Sequence, residues 1–376
     1  MSPPLAIARC TSARDWRRFE TLPVRLHGAD PAYVPPFPGD VMKLRKPGHP
    51  FHLDGHLTAY VATRDGRPVG RIAAVHNRTH NRFHGDRTGF FGFFDFADAE
   101  VAAALLARVR EELRAAGFDR MRGPYSPTQN DECGLQVEGF GEAPYFGMPY
   151  NPPHYVGVYE GLGLAGVRDL LAYGIAQTGA SEGAFFGRMD ALVARIKQRY
   201  AVTVRAVDIA RLEEECARVV RVFNEGLAGE WGFMPLSVET ALAFAKDLLE
   251  QLEPEAILIA ESGGEPVGIS IALPNLNEFL ADAKRLPRWL RWPRLVWLIK
   301  TSRPKRARWA VFAMTPEWRK RGGTLLLIHE AVTRFMPRYP GGEMSWTQEG
   351  NDDVNRLAAQ FDLAPTKRYR IYEAPL

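Results

Sequence analysis

Residues 310–333 read Ala310-Val-Phe-Ala-Met-Thr-Pro-Glu-Trp-Arg319-Lys-Arg-Gly-Gly-Thr324-Leu-Leu-Leu-Ile-His-Glu-Ala-Val-Thr333. An apolar strand runs into Arg319-Lys320-Arg321-Gly322-Gly323-Thr324, and the periodicity predicts an amphipathic helix directly after it. Such a turn aims unpaired backbone N–H groups and the positive end of a helix dipole at one spot, with basic side chains alongside. That spot suits a diphosphate. A basic helix start with glycines for the turn would explain the same residues, so the loop needs its surroundings to be read.

The chain has 376 residues, long for one domain and comfortable for two. Its net charge of +4 demands neither nucleic acid nor a membrane. Only Cys10, Cys133 and Cys216 occur, without Cys-x-x-Cys spacing, which argues against a disulfide framework or a cysteine zinc site and fits a reducing cytoplasm. The N-terminus lacks a signal-peptide pattern, and no apolar run approaches the roughly 20 residues needed to span a bilayer. A cytoplasmic protein, soluble or peripheral on the inner face of the membrane, is expected.

Working outward, Leu57–Thr63 and Val69–Val75 alternate as a hairpin about Arg64-Asp65-Gly66-Arg67-Pro68. The apolar strand Gly89–Phe96 leads through the N-cap candidate Asp98 into a helix over Ala99–Ala116. Short strands are expected at Met121–Gly123, Tyr155–Tyr159 and Leu171–Ile175. The second half repeats this order. Helices at 207–228 and 237–252 precede a hairpin, Ala256–Glu261 with Val267–Ala272, and then follow strand Arg308–Met314, helix Thr324–Phe335, strand Glu343–Thr347, helix Asp353–Gln360 and strand Lys367–Glu373. Two α/β (α+β) domains are therefore expected, residues 1–180 and 181–376, with a connecting helix over Ser181–Tyr200. Only the second has the basic glycine turn. Its counterpart in the first is Ala97-Asp98-Ala99-Glu100, whose carboxylates would repel a diphosphate.

The order strand, Arg-x-x-Gly-x-small, helix resembles the acyl-CoA pyrophosphate loop of GNAT-type N-acyltransferases, with Thr324 where Gly or Ala is usual. Hairpin, strand, helix, strand, helix, strand is the GNAT order, here present twice. More narrowly, the chain is similar to the bacterial ceramide synthase-like family through Pro31-Ala-Tyr-Val-Pro-Pro36, Gly70-Arg-Ile-Ala-Ala74, Gly89-Phe-Phe-Gly-Phe-Phe94, Asn130-Asp-Glu-Cys-Gly134, Met148-Pro-Tyr-Asn-Pro152, Trp231-Gly-Phe-Met-Pro235, Leu273-Pro-Asn-Leu-Asn277 and Lys367-Arg-Tyr-Arg-Ile-Tyr372. The resemblance implies two tandem GNAT-like domains, each a mixed, mainly antiparallel sheet flanked by helices, the N-terminal one degenerate and the C-terminal one binding acyl-CoA. It implies transfer of a long-chain acyl group from acyl-CoA, or an acyl carrier protein, to the amine of a sphingoid base such as 3-oxosphinganine. Another small amine or amino acid would be a different acceptor for the same chemistry, and a non-catalytic pair of GNAT folds binding lipid or a partner is the rival of another class.

Carried onto this sequence, the family pattern pairs the donor pantetheine with the strand end at Phe312, Ala313 and Met314, and holds the pyrophosphate at Arg319, Lys320, Arg321, Gly322, Gly323 and Thr324. Asn355 with Ala358 fits the Asn-x-x-Ala-x-x-x-Tyr helix of many relatives, but the tyrosine position is Asp362. Tyr369 and Tyr372 on the last strand are then candidates for the missing acid. Direct attack of an amine on a thioester also needs a proton acceptor. Glu230, flanked by Trp231 and Phe233, is the candidate base and those aromatics candidate acceptor contacts. Asn275, Asn277, Asn130 and Glu132 are further acceptor candidates, the last two only if the first domain faces the second across a shared cleft.

Between the second hairpin and the central strand lies Leu286–Arg308, with Trp289, Trp292 and Trp297 among Arg291, Arg294 and further cations, and no acid. Tryptophans and arginines beside leucines suit a helix lying on an anionic membrane; a packed helical insertion is the bland alternative. No motif supports nucleic acid. His76, His80 and His84 would align on a helix, but Asn77, Asn81 and Gly85 argue against one there, and no metal is expected.

Overall fold

The computed structural model describes residues 4–176, 180–248, 253–335, 337–360 and 363–376. The first half runs β1 (Leu5–Arg9), α1 (Ala13–His27), α2 (Asp40–Lys43), β2 (Gly55–Arg64), β3 (Arg67–Asn77), α3 (Arg78–His84), β4 (Thr88–Phe96) and α4 (Ala99–Ala115). It continues through β5 (Arg120–Gly123), β6 (Tyr125–Ser126), β7 (Glu132–Cys133), β8 (Leu135–Glu138), α5 (Tyr155–Gly161) and β9 (Ala165–Ala176). Helix α6 (Ala180–Tyr200) connects the halves, as expected.

The second half contains β10 (Val202–Ala206), α7 (Leu212–Leu227), α8 (Val238–Asp247), β11 (Ile257–Ser262), β12 (Glu265–Pro274), α9 (Asn277–Lys284) and α10 (Arg288–Thr301). It ends with β13 (Arg306–Met314), α11 (Pro316–Lys320), α12 (Gly323–Phe335), β14 (Gly341–Gln348), α13 (Asp352–Gln360) and β15 (Pro365–Pro375).

One 13-stranded sheet carries the order β1-β2-β3-β4-β5-β15-β9-β14-β13-β12-β11-β10, with β8 also on β15 and a separate ribbon of β6 and β7. Neighbours are antiparallel except β4–β5 and β13–β14, which are parallel. This is the expected mixed, mainly antiparallel sheet flanked by helices, built twice. The last strands are exchanged: β15 of the second half pairs with β5 of the first, and β9 of the first pairs with β14 of the second. Backbone hydrogen bonding therefore runs without a break from one half into the other.

Two local expectations change. Tyr155–Tyr159 is helix rather than strand, because Tyr155 and Tyr159, spaced i and i+4, turn one helical face into the core against Phe96 and Phe94. Residues 78–84 do form a helix: two of the three residues that argue against it are its caps, Asn77 Oδ1 accepting from His80 N at 2.9 Å and Gly85 closing it at φ +65°, while Asn81 lies inside it with its side chain turned to the backbone of Thr88. His80 is buried there, and no group of His, Cys, Asp or Glu able to hold a metal occurs among the described residues. No helix among them is long and apolar enough to cross a membrane.

Candidate active site

In the second half β13 and β14 are paired only from Arg306–Gly341 to Trp309–Met344, and then diverge. Ala310, Val311 and Phe312 form one wall of the resulting V, and Ser345, Trp346, Thr347 and Gln348 the other; both open into a cavity of about 1170 Å³. Strands that part leave backbone polar groups without ladder partners, so an extended amide-bearing chain fits between them. At the root of the V the buried Arg308 donates from Nε to Ser345 O (3.2 Å) and Oγ (3.0 Å), and from Nη1 to Phe146 O (3.1 Å). It thereby ties both strands to a loop of the first half.

The basic turn lies beyond Met314, where short α11 intervenes before α12 instead of the helix following at once. Gly322 sits at φ +81°, which a residue with a Cβ adopts only with strain, and a Cβ on Gly323 would lie 2.8 Å from Trp318 O. Helix α12 then begins, its first amides lacking intrahelical acceptors. Arg319 folds its Nε onto Met314 O at 3.1 Å, Lys320 is exposed, and Arg321 pairs with Glu317 at 2.5 Å over the rings of Tyr200 and Trp318. Thr324 is half-buried, while Ala313 and Met314 are buried and Phe312 half-buried.

The facing wall of the cavity belongs to the first half. Ribbon β6–β7 pairs Tyr125 with Cys133 and Ser126 with Glu132, and Cys133 belongs to the apolar cluster against which Trp346 of β14 packs. Beside it lie His27, Arg71 and Asp95, all lining the cavity. His27 Nε2 is 3.0 Å from Asp95 Oδ1, and Arg71 Nε donates to Asp95 Oδ2 at 2.7 Å. Burial alone would raise the Asp95 carboxyl, but Arg71 and His27 hold it down to about 2. Glu132 and Asp131 are exposed to the cavity but enclosed by protein around it, and this desolvation pushes Glu132 up to about 7 and Asp131 up to about 6. Asp131 is engaged by Thr128, whose Oγ1 donates to it at 2.6 Å and whose N–H donates at 3.1 Å.

The other expected site residues divide into cavity and framework. Glu230 lines the cavity and accepts from Asn351 Nδ2 at 3.4 Å. Trp231 offers its carbonyl to Gln129 and Gln348 and its ring to Arg122 and Arg168. Phe233 is buried beside Phe83 and Phe223, and Asn130 donates to Met234 O at 3.3 Å. The segment 229–234 thus docks on the first half's loop at Gln129 and Asn130. Asn275 Oδ1 accepts from Phe146 N at 3.0 Å, and Asn277 Nδ2 donates to Pro144 O at 2.8 Å; both hold a first-half loop against the second. Asn355 is taken up locally, accepting from Tyr173 OH and donating to Gln348 O and Glu349 O. Tyr369 and Tyr372 are fully buried in the sheet and neither lines the cavity; burial raises both phenols, Tyr369 well above its usual value. Asp362 lies outside the described residues.

Helix α10 buries Leu295 and Leu298 against Leu280 and Phe279, and turns Trp289 (76% exposed), Trp292 (58%) and Trp297 (51%) outward. Arg294 pairs with Asp282 at 2.8 Å and lies over Trp297, while Arg291 donates to Leu286 O. Trp292 also lines the cavity, as do the exposed Leu53 and Phe244. The mouth is thus rimmed by apolar side chains.

Among known proteins, Protein YghO of Escherichia coli (strain K12) is 32% identical over 371 residues, which cover 96% of this chain and 92% of that protein. Bacterial ceramide synthase of Caulobacter vibrioides (strain NA1000 / CB15N) is 29% identical over 382 residues, covering 99% of this chain and 98% of its own. The chain belongs to the bacterial ceramide synthase-like family of GNAT proteins. A solved tandem GNAT protein from the clavulanic acid biosynthesis pathway shares the fold at TM-score 0.56 and 14% identity, covering 99% of this chain and 98% of that one. No family model matches the chain.

Family resemblance pointed at the donor side and at segment 229–234; it took in Arg71 only as part of the Gly70–Ala74 stretch and gave no site role to His27, Arg71, Asp95 or Arg308. Their signal was present: Arg71 and Asp95 are charges in the middle of apolar strands, where a charge persists only with a partner. Which partner was not legible, because Arg71 and Asp95 are 24 residues apart and His27 and Asp95 are 68 apart.

Proposed function

We propose that this protein is an N-acyltransferase that moves a long-chain acyl group from acyl-CoA to the amine of a lipid, a sphingoid base such as 3-oxosphinganine. One observation carries this reading: a single cavity joins the open V of the second half, a polar wall of the first half, and an apolar mouth. The pantetheine would lie along Ala310–Phe312, with its pyrophosphate at the amides of Gly323 and Thr324 and near the exposed Arg319 and Lys320. An acyl carrier protein would present the same thioester by the same arm. The name of the Caulobacter relative supports a lipid amine as the acceptor.

The amine nitrogen attacks the thioester carbon, a C–N bond forms, the C–S bond breaks, and the thiol leaves. Glu230, at the cavity edge, is placed to contact the acceptor, whereas the buried Tyr369 and Tyr372 would act only through the sheet that shapes the wall. The exposed tryptophans of α10, flanked by Arg303 and Lys305, suit docking on an anionic inner membrane surface, from which a lipid amine could enter beside Trp292.

Mass spectrometry after incubation with a long-chain acyl-CoA and 3-oxosphinganine is expected to find the amide and free CoA in equal amounts. Acetyl transfer to soluble amines alone would reject the lipid acceptor. Flotation with anionic vesicles is expected to weaken with salt and in Trp292→Ala; flotation insensitive to both would reject the membrane contact.

A further inference from the structure

The first half supplies more than a wall. We infer that Glu132, on β7 of the half that lacks the phosphate loop, is the catalytic proton acceptor for the attacking amine. The inference rests on the acyl-transfer reading above. Glu132 is exposed and lines the cavity, while the next residue of β7, Cys133, is buried; among the described residues no side-chain hydrogen bond or ion pair engages its carboxylate. The adjacent Cys133 belongs to the apolar cluster against which Trp346, on the wall of the donor V, packs, so Glu132 and that V open into the same cavity.

Three other carboxylates of the cavity wall are already engaged. Asp95 is bound by His27 and Arg71, Asp131 by the Thr128 turn, and Glu230 by Asn351. The groups that set the potential at Glu132 come from several elements: Arg71 on β3, Asp95 on β4, Asp131 beside it, and Arg308 on β13, with Tyr33 on the same cavity wall. Burial is the largest influence and raises the carboxyl to about 7, which Arg71 and Arg308 partly oppose. A proton acceptor in that range is half ionised near neutral pH and matches general-base work. In the step proposed, the N–H proton passes to the Glu132 carboxylate as C–N bonding completes. The same proton then goes to the departing sulfur, which regenerates the carboxylate and releases CoA thiol.

The test uses the full chain with a long-chain acyl-CoA and 3-oxosphinganine, with release of CoA thiol followed across pH. Glu132→Gln is expected to lower kcat by about a hundredfold or more, the usual size of a lost general base, while KM for acyl-CoA stays within about threefold. It should also abolish the rise in wild-type rate centred near pH 7. Infrared difference spectra provide a readout that does not need turnover: a carboxyl band titrating near pH 7 in the wild type should be missing in the variant.

Stability should move the other way. Because the folded carboxyl lies above its ordinary 4.5, its contribution is fully present below that value and lost as pH rises through about 7. Glu132→Gln should therefore melt above the wild type at pH 8, as any desolvated carboxylate would predict; the loss of kcat at nearly constant KM is what separates a catalytic role from a structural one. An active wild type with an active Glu132→Gln, or spectra without a carboxyl titrating above pH 6, overturns the role of Glu132 alone. A wild type that binds CoA but acylates no amine overturns the acyl-transfer reading itself.

Discussion

The two halves build the same V of parallel strands and use it in opposite ways. In the second half β13 and β14 part after Trp309 and Met344, and the gap opens into the cavity. In the first half β4 and β5 part after Phe90 and Arg122, and the chain fills the gap itself with β6. Glycine permits this: a Cβ on Gly92 would lie 1.6 Å from Tyr125 O, and one on Gly123 would lie 2.2 Å from Phe91 O. The Tyr155 hydroxyl then accepts from Phe96 N at 2.8 Å and donates to Phe96 O at 2.7 Å, satisfying the strand end where an extended ligand would otherwise pair. At the following turn Asp98 caps α4 through Val101 N at 3.0 Å and pairs with Arg64 at 2.7 Å, where the second half has glycines and an open helix start. A duplicated fold can thus close one slot with its own backbone, and the closed half becomes free to contribute a wall to the other.

Three perturbations would break or sharpen this contrast, beginning with the most severe. Residues 1–180 and 181–376 expressed apart should each fail to give a cooperative thermal transition. Without exchange, β5 would lose β15 and β14 would lose β9, exposing rows of unpaired backbone groups in the middle of a sheet. Independent folding of either piece, with a sharp transition by circular dichroism, would show that the halves need no exchange and that the division at 180 is a domain boundary in the full sense.

Gly322→Glu puts a side chain on a backbone at φ +81° and a carboxylate at the helix start. Affinity for CoA should fall by about a hundredfold, roughly 2.7 kcal/mol, from like-charge repulsion and left-handed strain together. Titration calorimetry showing unchanged binding would place the donor elsewhere. The mildest change is Asp98→Ala in the closed half. Loss of this N-cap should cost about 1 kcal/mol in chemical denaturation and leave CoA affinity untouched. A changed CoA affinity would mean that the first turn takes part in donor binding after all.

How much was legible beforehand depends on the range of the interaction. The hairpins Leu57–Val75 and Ala256–Ala272, the central strands and the phosphate-loop helix all follow local rules of alternation, turn chemistry and capping, and the structure contains each of them. The errors were also local. Asn77 and Gly85 suggest a break in sequence but cap a helix in the structure, and the i, i+4 tyrosines of α5 sit in a segment too short for its periodicity to separate helix from strand.

The site was only half visible. Gly322, Gly323 and the basic residues stand together in the chain, so a turn of six residues reveals them. Glu132 could be named only conditionally, on whether the first half would face the second, since that fact depends on packing between segments far apart in sequence. Segment 229–234 illustrates the converse: its aromatics look like substrate contacts in isolation, yet Trp231 and Phe233 mainly lock the second half onto Gln129, Arg122 and Phe83 of the first.

By itself the sequence determined that the fold is duplicated and that only one copy carries the basic glycine turn, because hydrogen-bonded turns, strand alternation and the charges at a helix start are all set within a few residues. Only the tertiary structure decided that β9 and β15 change places and that β6 closes one V. It alone brought His27, Arg71, Asp95 and Glu132 opposite the other V, because buried charges take their partners, and sheet edges their neighbours, from whatever parts of the chain the fold places beside them.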